Sequence, residues 1–314
     1  MSRRVCATRA GWCAVSATLF VLVSCTTTAF VVMKNLPWSI FLVDTPLGFK
    51  LLERLYTAPL VNFRHTIDIV LSVYDEPPQV LLSHLETCCP KDTCRVFIYT
   101  SFAESARRSH SHERQQRGAY TKDEWSAFAT NFTKDVDVVN NEWTGAEATG
   151  YITHIVEHYQ DLAEVLVFAH GHVKSRHSRE LCTAIQRGLG RLRDDVDLPI
   201  FVNINNWHQR RCVSRTRVRG QYATKELRDA LYAAWHTLVS GDSVAEPARF
   251  TWECCAQFVT TRASIRQRSH KAWSHMFDVM SQGTYGDGLV AGFLWEYLWP
   301  TLIDEYGNVG KATC

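Results

Sequence analysis

Two histidines flank a glycine, His170-Gly171-His172, at the end of the short apolar run Val165-Leu-Val-Phe-Ala169. Branched residues bounded by polar ones predict a buried strand. Open α/β sheets hold ligands in the loops beyond the carboxyl ends of such strands. Alternation around the glycine would let both imidazoles point towards one ligand, the alternative being loop histidines that face solvent or are satisfied in the core, and imidazole suits Zn or Mn better than Mg. A second polar end is Asp75-Glu76-Pro77-Pro78, where proline stops the pairing of a first strand and leaves two acids at its carboxyl end. Asn141, Gly145 and Glu147 precede or open a helix that leads into the central strand. Glu296 lies in Leu294-Trp-Glu-Tyr-Leu-Trp299, and desolvation beside Trp295 would raise its pKa towards the range of a general base. The glycine-rich turn from Gly283 to Gly288 before it is able to close as a lid.

Regular elements must hold these residues in place. Ile152, Ile155, Val156 and Tyr159 recur at the three-and-four spacing of an amphipathic helix over Ala146 to Tyr159. Ile67 to Tyr74, Arg95 to Tyr99, Val136 to Val139, Val165 to Ala169, Leu198 to Val202 and Ala256 to Thr261 read as strands. Val80 to Leu85, Arg179 to Leu192, Lys225 to Val239, Ala263 to Met280 and the segment carrying Leu294 to Trp299 read as helices. Ser101 to Trp125 and Asn203 to Arg219 read as polar loops. Strands alternating with helices predict an α/β fold, a mostly parallel sheet with helices on both faces.

The chain of 314 residues, 46% of them hydrophobic, is ample for one large core. With 34 basic against 32 acidic residues and a net charge of +2, nothing argues for a nucleic-acid partner. Arg3, Arg4 and Arg9 precede an uncharged stretch from Gly11 to Met33, closed by Lys34. That stretch is long enough to span a bilayer, and the flanking charge predicts a cytoplasmic tail over 1–10 and a transmembrane signal anchor over 11–33. A proline-containing stem over 34–64 and a luminal α/β domain over 65–314 would follow. Leu19 to Ala29 also has the form of a cleaved signal peptide, so the alternatives are a single-pass type II protein of the Golgi or endoplasmic reticulum and a secreted one.

Eight cysteines beyond the anchor agree with an oxidising compartment. Cys88 or Cys89 with Cys94, and Cys182 with Cys212, are candidate pairs, and no two-residue spacing predicts a zinc ribbon. Asn131-Phe-Thr133 is a glycosylation sequon. Asp135-Val-Asp137 is a literal Asp-x-Asp, but it precedes the central helix and reads as solvent-facing. His154 and His158, one helical turn apart, lack the glutamate of a zincin and also read as solvent-facing. A Gly-x-Ser-x-Gly elbow, a phosphate loop and a dinucleotide glycine fingerprint are all missing.

Asp68-Ile-Val-Leu-Ser-Val-Tyr-Asp-Glu76, Gly145-Ala-Glu147 with Tyr151 to Tyr159, Cys255-Ala-Gln-Phe-Val-Thr-Thr-Arg262 and Leu294 to Trp299 together resemble the domain-of-unknown-function family 3431, in order from Ile67 to Ile303. That resemblance implies no activity. The order of acid-ended strand, asparagine, helix and polar-ended strand also resembles, more weakly, the nucleotide-sugar half of a GT-A-like glycosyltransferase. This second resemblance implies donor binding by Asp75, Glu76, Asn141, Gly145 and Glu147, and a divalent metal, Mn or Zn, on His170 and His172 in place of the usual Asp-x-Asp. It further implies a nucleotide sugar, a glycan or protein acceptor, and Glu296 as the acceptor base, with neighbouring aromatic residues stacking on sugar rings. A non-catalytic luminal domain that binds a glycan or a protein is the competing reading.

Overall fold

β1, Ile67–Val73, is buried along its whole length. Such a strand needs cover on both faces, which is the condition of a parallel sheet under two helical layers. The computed structural model describes residues 66–73, 76–88, 93–101, 120–130, 136–141, 146–174, 180–192, 200–205, 211–215, 224–239, 245–252, 254–282 and 288–303. All of them fall in the compact unit Pro59–Cys314. The expected membrane span over 11–33, the stem, Asp75, Gly145 and the sequon at Asn131 lie outside the described residues. Among the described residues no helix is long and apolar enough to cross a membrane.

From β1 the chain runs through α1 (Pro78–Cys88), β2 (Cys94–Ser101), α2 (Lys122–Ala129) and β3 (Val136–Asn141). It continues through α3 (Ala146–Glu157), β4 (Val165–His170), α4 (Leu181–Arg191), β5 (Phe201–Asn203) and β6 (Arg211–Ser214). Then come α5 (Lys225–Leu238), β7 (Arg249–Trp252), a 3-10 turn (Cys254–Ala256), β8 (Phe258–Thr261), α6 (Arg262–Ile265), α7 (His270–Ser281) and α8 (Gly288–Ile303). Six strands form one sheet in the order β3-β2-β1-β4-β8-β5, and β6 pairs with β7 in a separate antiparallel ribbon.

β1 to β4 are mutually parallel. β8 runs against both β4 and β5, so the sheet is mostly but not wholly parallel. Two cores flank it, as side-chain alternation requires. Val70, Phe97, Leu166, Phe168 and Phe258 pack with α3, α5, α7 and α8. Ile69, Leu71, Val96, Ile98, Val165 and Val167 pack with α1, α2 and α4. Helices thus cover both faces, as the strand-helix alternation predicts.

Several expected elements shift. Ser101 to Trp125 was expected to be loop, yet α2 forms at its end because Thr121 and Glu124 make a reciprocal capping box. The helix expected over Ala263 to Met280 is two, since Thr261 caps α6 and Ser269 caps α7. β6 rises inside the expected loop after Asn203, and β7 lies where no element was predicted.

Candidate functional site

The strand order sets the location. β1, β2 and β3 step one way across the sheet, and the chain then returns to place β4 on the other side of β1. α1 and α2 cover one face and α3 the opposite one, so the strand order reverses between β1 and β4, and open α/β sheets bind ligands beyond the carboxyl ends of the strands at such a point.

β4 ends at His170, in register with Ser72 of β1. The Gly171 N–H donates to Ser72 O at 2.9 Å, extending the ladder one residue beyond the strand. No side chain fits at Gly171, because a Cβ there would lie 2.5 Å from Val73 Cγ1 and 3.2 Å from Leu81 Cδ2. The glycine therefore lets the turn press against β1 and α1, and the two histidines leave it on different courses. His172 Nδ1 meets Glu76 Oε1 at 2.5 Å, and Glu76 is buried just past the end of β1. His170 Nε2 lies 4.0 Å from Oε1 of Glu147, in the first turn of α3. The His170 backbone N–H donates to Gln257 Oε1 at 3.2 Å, and Gln257 Nε2 donates to Asn205 Oδ1 at 2.6 Å.

Glu296 approaches from α8. Trp252 Nε1 of β7 donates to its Oε2, and the Cys255 backbone N–H also bonds to it. Burial pushes the Glu296 carboxyl up to about 7, and the negative charge of Glu147 adds to the rise, while the two hydrogen bonds oppose it. Cys255 and Ala256, with φ of 76° and 44°, are held in the left-handed region at the corner that presents both the Cys255 N–H and Gln257. Such strain persists only where surrounding structure enforces it.

Of the sequence-predicted residues, Glu76, Glu147, His170 and His172 thus gather in facing pairs, and Glu296 senses the charge of Glu147. Asn141 ends β3 opposite Ser101, and Asp75 and Gly145 fall outside the described residues. The two histidines each face their own acid rather than one shared ligand. Among the described residues, the His, Cys, Asp and Glu ligand atoms that lie within 4.8 Å of one another belong to His84, Cys88 and Cys182, and no such set forms at His170 and His172. Trp295, Tyr297 and Trp299 are buried core anchors, so the aromatic flanks of Glu296 do not face a sugar. Trp252, Gln257 and Asn205 were missed, since each acts through folding across the chain rather than through a local motif.

His154 corrects another expectation. It is fully buried, with Nδ1 3.2 Å from Tyr99 OH and Nε2 3.6 Å from Asp68 Oδ2. Burial holds its pKa below the ordinary value, which favours the neutral imidazole. Burial alone would push the buried Asp68 carboxyl up, but His154, the Arg95 fork at 2.7 and 2.9 Å and the Ala163 N–H outweigh it and hold it down. This network ties the beginnings of β1 and β2 to α3 and is structural.

Residues 101–312 match the family described as protein of unknown function (DUF3431), and the chain belongs to that family. The matched region begins at the last residue of β2, so β1 and Glu76 precede it. No curated protein matches the chain.

Proposed function

We propose that this protein is a membrane-anchored, luminal glycosyltransferase-like enzyme that takes a sugar from a nucleotide-sugar donor to a glycan or protein acceptor. One observation carries the reading: Glu76 with His172 and Glu147 with His170 pair at the carboxyl ends of β1 and β4, where the strand order reverses, and the charge of Glu147 reaches Glu296. Glu296 serves as the base. A carboxyl ionising near 7 is about half-charged at neutral pH and is a stronger base than an ordinary carboxylate for taking the acceptor hydroxyl's proton as that oxygen attacks. Trp252 and the Cys255 N–H fix its orientation.

His170, His172, Glu76 and Glu147 offer the imidazole and carboxylate donors that suit Mn or Zn. The His172–Glu76 contact of 2.5 Å is shorter than the roughly 3.3 Å between neighbouring ligands of a tetrahedral zinc, so the pair would have to part to ligate one. A divalent metal held there would neutralise charge growing on a diphosphate leaving group. Without it, the two imidazoles supply donors for the donor phosphates, and Glu296 still acts on the acceptor.

The test uses full-length protein in detergent, screened with nucleotide sugars and Mn or Zn, wild type against Glu296→Gln. Turnover should fall about 10²–10⁴-fold while donor binding persists. Unchanged turnover removes Glu296 from the mechanism, and no transfer or hydrolysis with any donor favours a luminal glycan- or protein-binding domain. For the anchor, Asn131 should carry a glycan and the bulk domain should resist protease in sealed microsomes. Digestion from the cytosolic side defeats that topology.

A further inference from the structure

Away from these strand ends, α1 and α4 meet at a second cluster of reactive side chains. Cys88, the last residue of α1, is disulfide-bonded to Cys182 in the first turn of α4, with Cα atoms 4.8 Å apart and 94 residues between them in sequence. His84 stands one helical turn before Cys88 on the same face of α1. Ligand atoms of His84, Cys88 and Cys182 all lie within 4.8 Å of one another. Glu180 completes the group: its Oε1 contacts His84 Nε2 and accepts from the Cys182 N–H at 2.9 Å. Its Oε2 accepts from Thr183 N at 2.8 Å and from Thr183 Oγ1 at 2.6 Å.

We propose that, with its disulfide reduced, this cluster is a zinc site in which Cys88, Cys182, His84 and Glu180 are the four ligands. Two thiolates, one imidazole and one carboxylate are a donor set that a tetrahedral zinc takes. Bond lengths of about 2.0–2.3 Å place neighbouring ligands roughly 3.3–3.8 Å apart, so once the S–S bond is cut the two sulfurs part by about 1.7 Å, and His84 and Glu180, now in contact, separate to admit the ion. Each ligand is already oriented. Glu180 is held by the backbone N–H groups it caps and by Thr183, the kind of outer support that ligating carboxylates use. Cys182 sits at a helix N-terminus, where partial positive charge favours a thiolate. Cys88 and Cys182 are buried while the His84 and Glu180 side chains are partly exposed, so an ion enters from the Glu180 side.

The chemistry balances. A dithiol delivers two electrons and two protons to the Cys88–Cys182 bond, which breaks into two thiols as the reductant closes its own disulfide. Zinc then binds both sulfurs and releases the two thiol protons to solvent. The metal takes over the cross-link, so α1 and α4 stay tied in either redox state. Spacing along the chain conceals such a site, because no pair of its cysteines is close in sequence.

The experiment uses the full-length chain, reduced with a water-soluble phosphine and titrated with Co²⁺ as a spectroscopic stand-in for zinc. Wild type should bind one Co²⁺ with a thiolate-to-cobalt charge-transfer band and the visible bands of a tetrahedral ion, all lost on adding Zn²⁺. Oxidised protein should show none of them. Cys94, Cys212 and Cys255 are also disulfide-bonded, so the control is the Cys88→Ser, Cys182→Ser double variant, which keeps those cysteines and should give no band. His84→Ala and Glu180→Gln should each weaken Co²⁺ binding at least about tenfold. Equal cobalt spectra from wild type and the double variant overturn the proposal. So does a reduced wild type that stays folded by circular dichroism without a band, or one that unfolds and is not refolded by zinc.

Discussion

Glu296→Gln separates a buried ionisable carboxyl from an ordinary surface one without any substrate. The amide keeps an oxygen to accept from Trp252 Nε1 and nearly the same volume, but it cannot ionise. Burial raises the wild-type pKa from 4.5 to about 7. A raised carboxyl pKa means the folded state holds the proton more tightly than the unfolded chain, so stability is full below 4.5 and is lost as pH climbs through 7. At about 1.36 kcal/mol for each pH unit of difference, ionisation removes about 3 kcal/mol from wild type between roughly pH 4.5 and 8. The variant loses none of it. For a domain of this size, that is about 6–12 °C in the difference between the two melting temperatures across the range. The assay is thermal unfolding of both proteins at several pH values, read as variant minus wild type so that other titrating groups cancel. The gap should shift in favour of Gln as pH rises, with its midpoint between 4.5 and 7. A gap that is flat with pH refutes a desolvated Glu296 and removes the physical basis for its role as a base.

Two further perturbations test the frame around the site. Asp68→Asn, which leaves the Arg95 fork without its carboxylate, should cost about 3 kcal/mol near neutral pH in urea unfolding. Because the Asp68 pKa is held below 3.8, that cost should persist above it and shrink as pH falls through the lowered value; a cost that grows with acid contradicts the assignment. Gly171→Ala forces a methyl group against Val73 and Leu81 and should destabilise the fold by about 1–3 kcal/mol by the same measurement. An unchanged midpoint would mean that the turn between His170 and His172 is not pinned to β1.

The parallel half of the sheet was legible because β1, β2 and β4 are branched, apolar and ended by polar residues, and burial on both faces leaves that mark. The direction of β8 was not legible, since a buried strand reads the same either way along the sheet. β6 and β7, four residues each, are too short to carry a period. In the site, the acids and histidines at strand ends stood out by type and place. Their sorting into His172 with Glu76 and His170 with Glu147 depends on the close fit of Gly171 against β1 and α1, which spacing does not encode. Glu296 was singled out beside Trp295, yet its partner is Trp252, brought over by a ribbon absent from the prediction. The Thr121–Glu124 capping box was present in the sequence and overlooked within a polar stretch.

The reversed strand also has a consequence for how the chain matures. β4 finds its outer neighbour in β8, not in β5, although β5 is made first. β4 ends at His170 and β8 at Thr261, so about 90 residues must be synthesised before that edge is covered. At roughly 5–20 residues per second this takes about 5–18 s. During that interval the apolar edge of β4 is open to any strand that reaches it. The nascent chain is therefore most exposed to mispairing after its first four strands have formed, and the arrival of Gln257 and β8 both seals the sheet and supplies the side chain that holds His170.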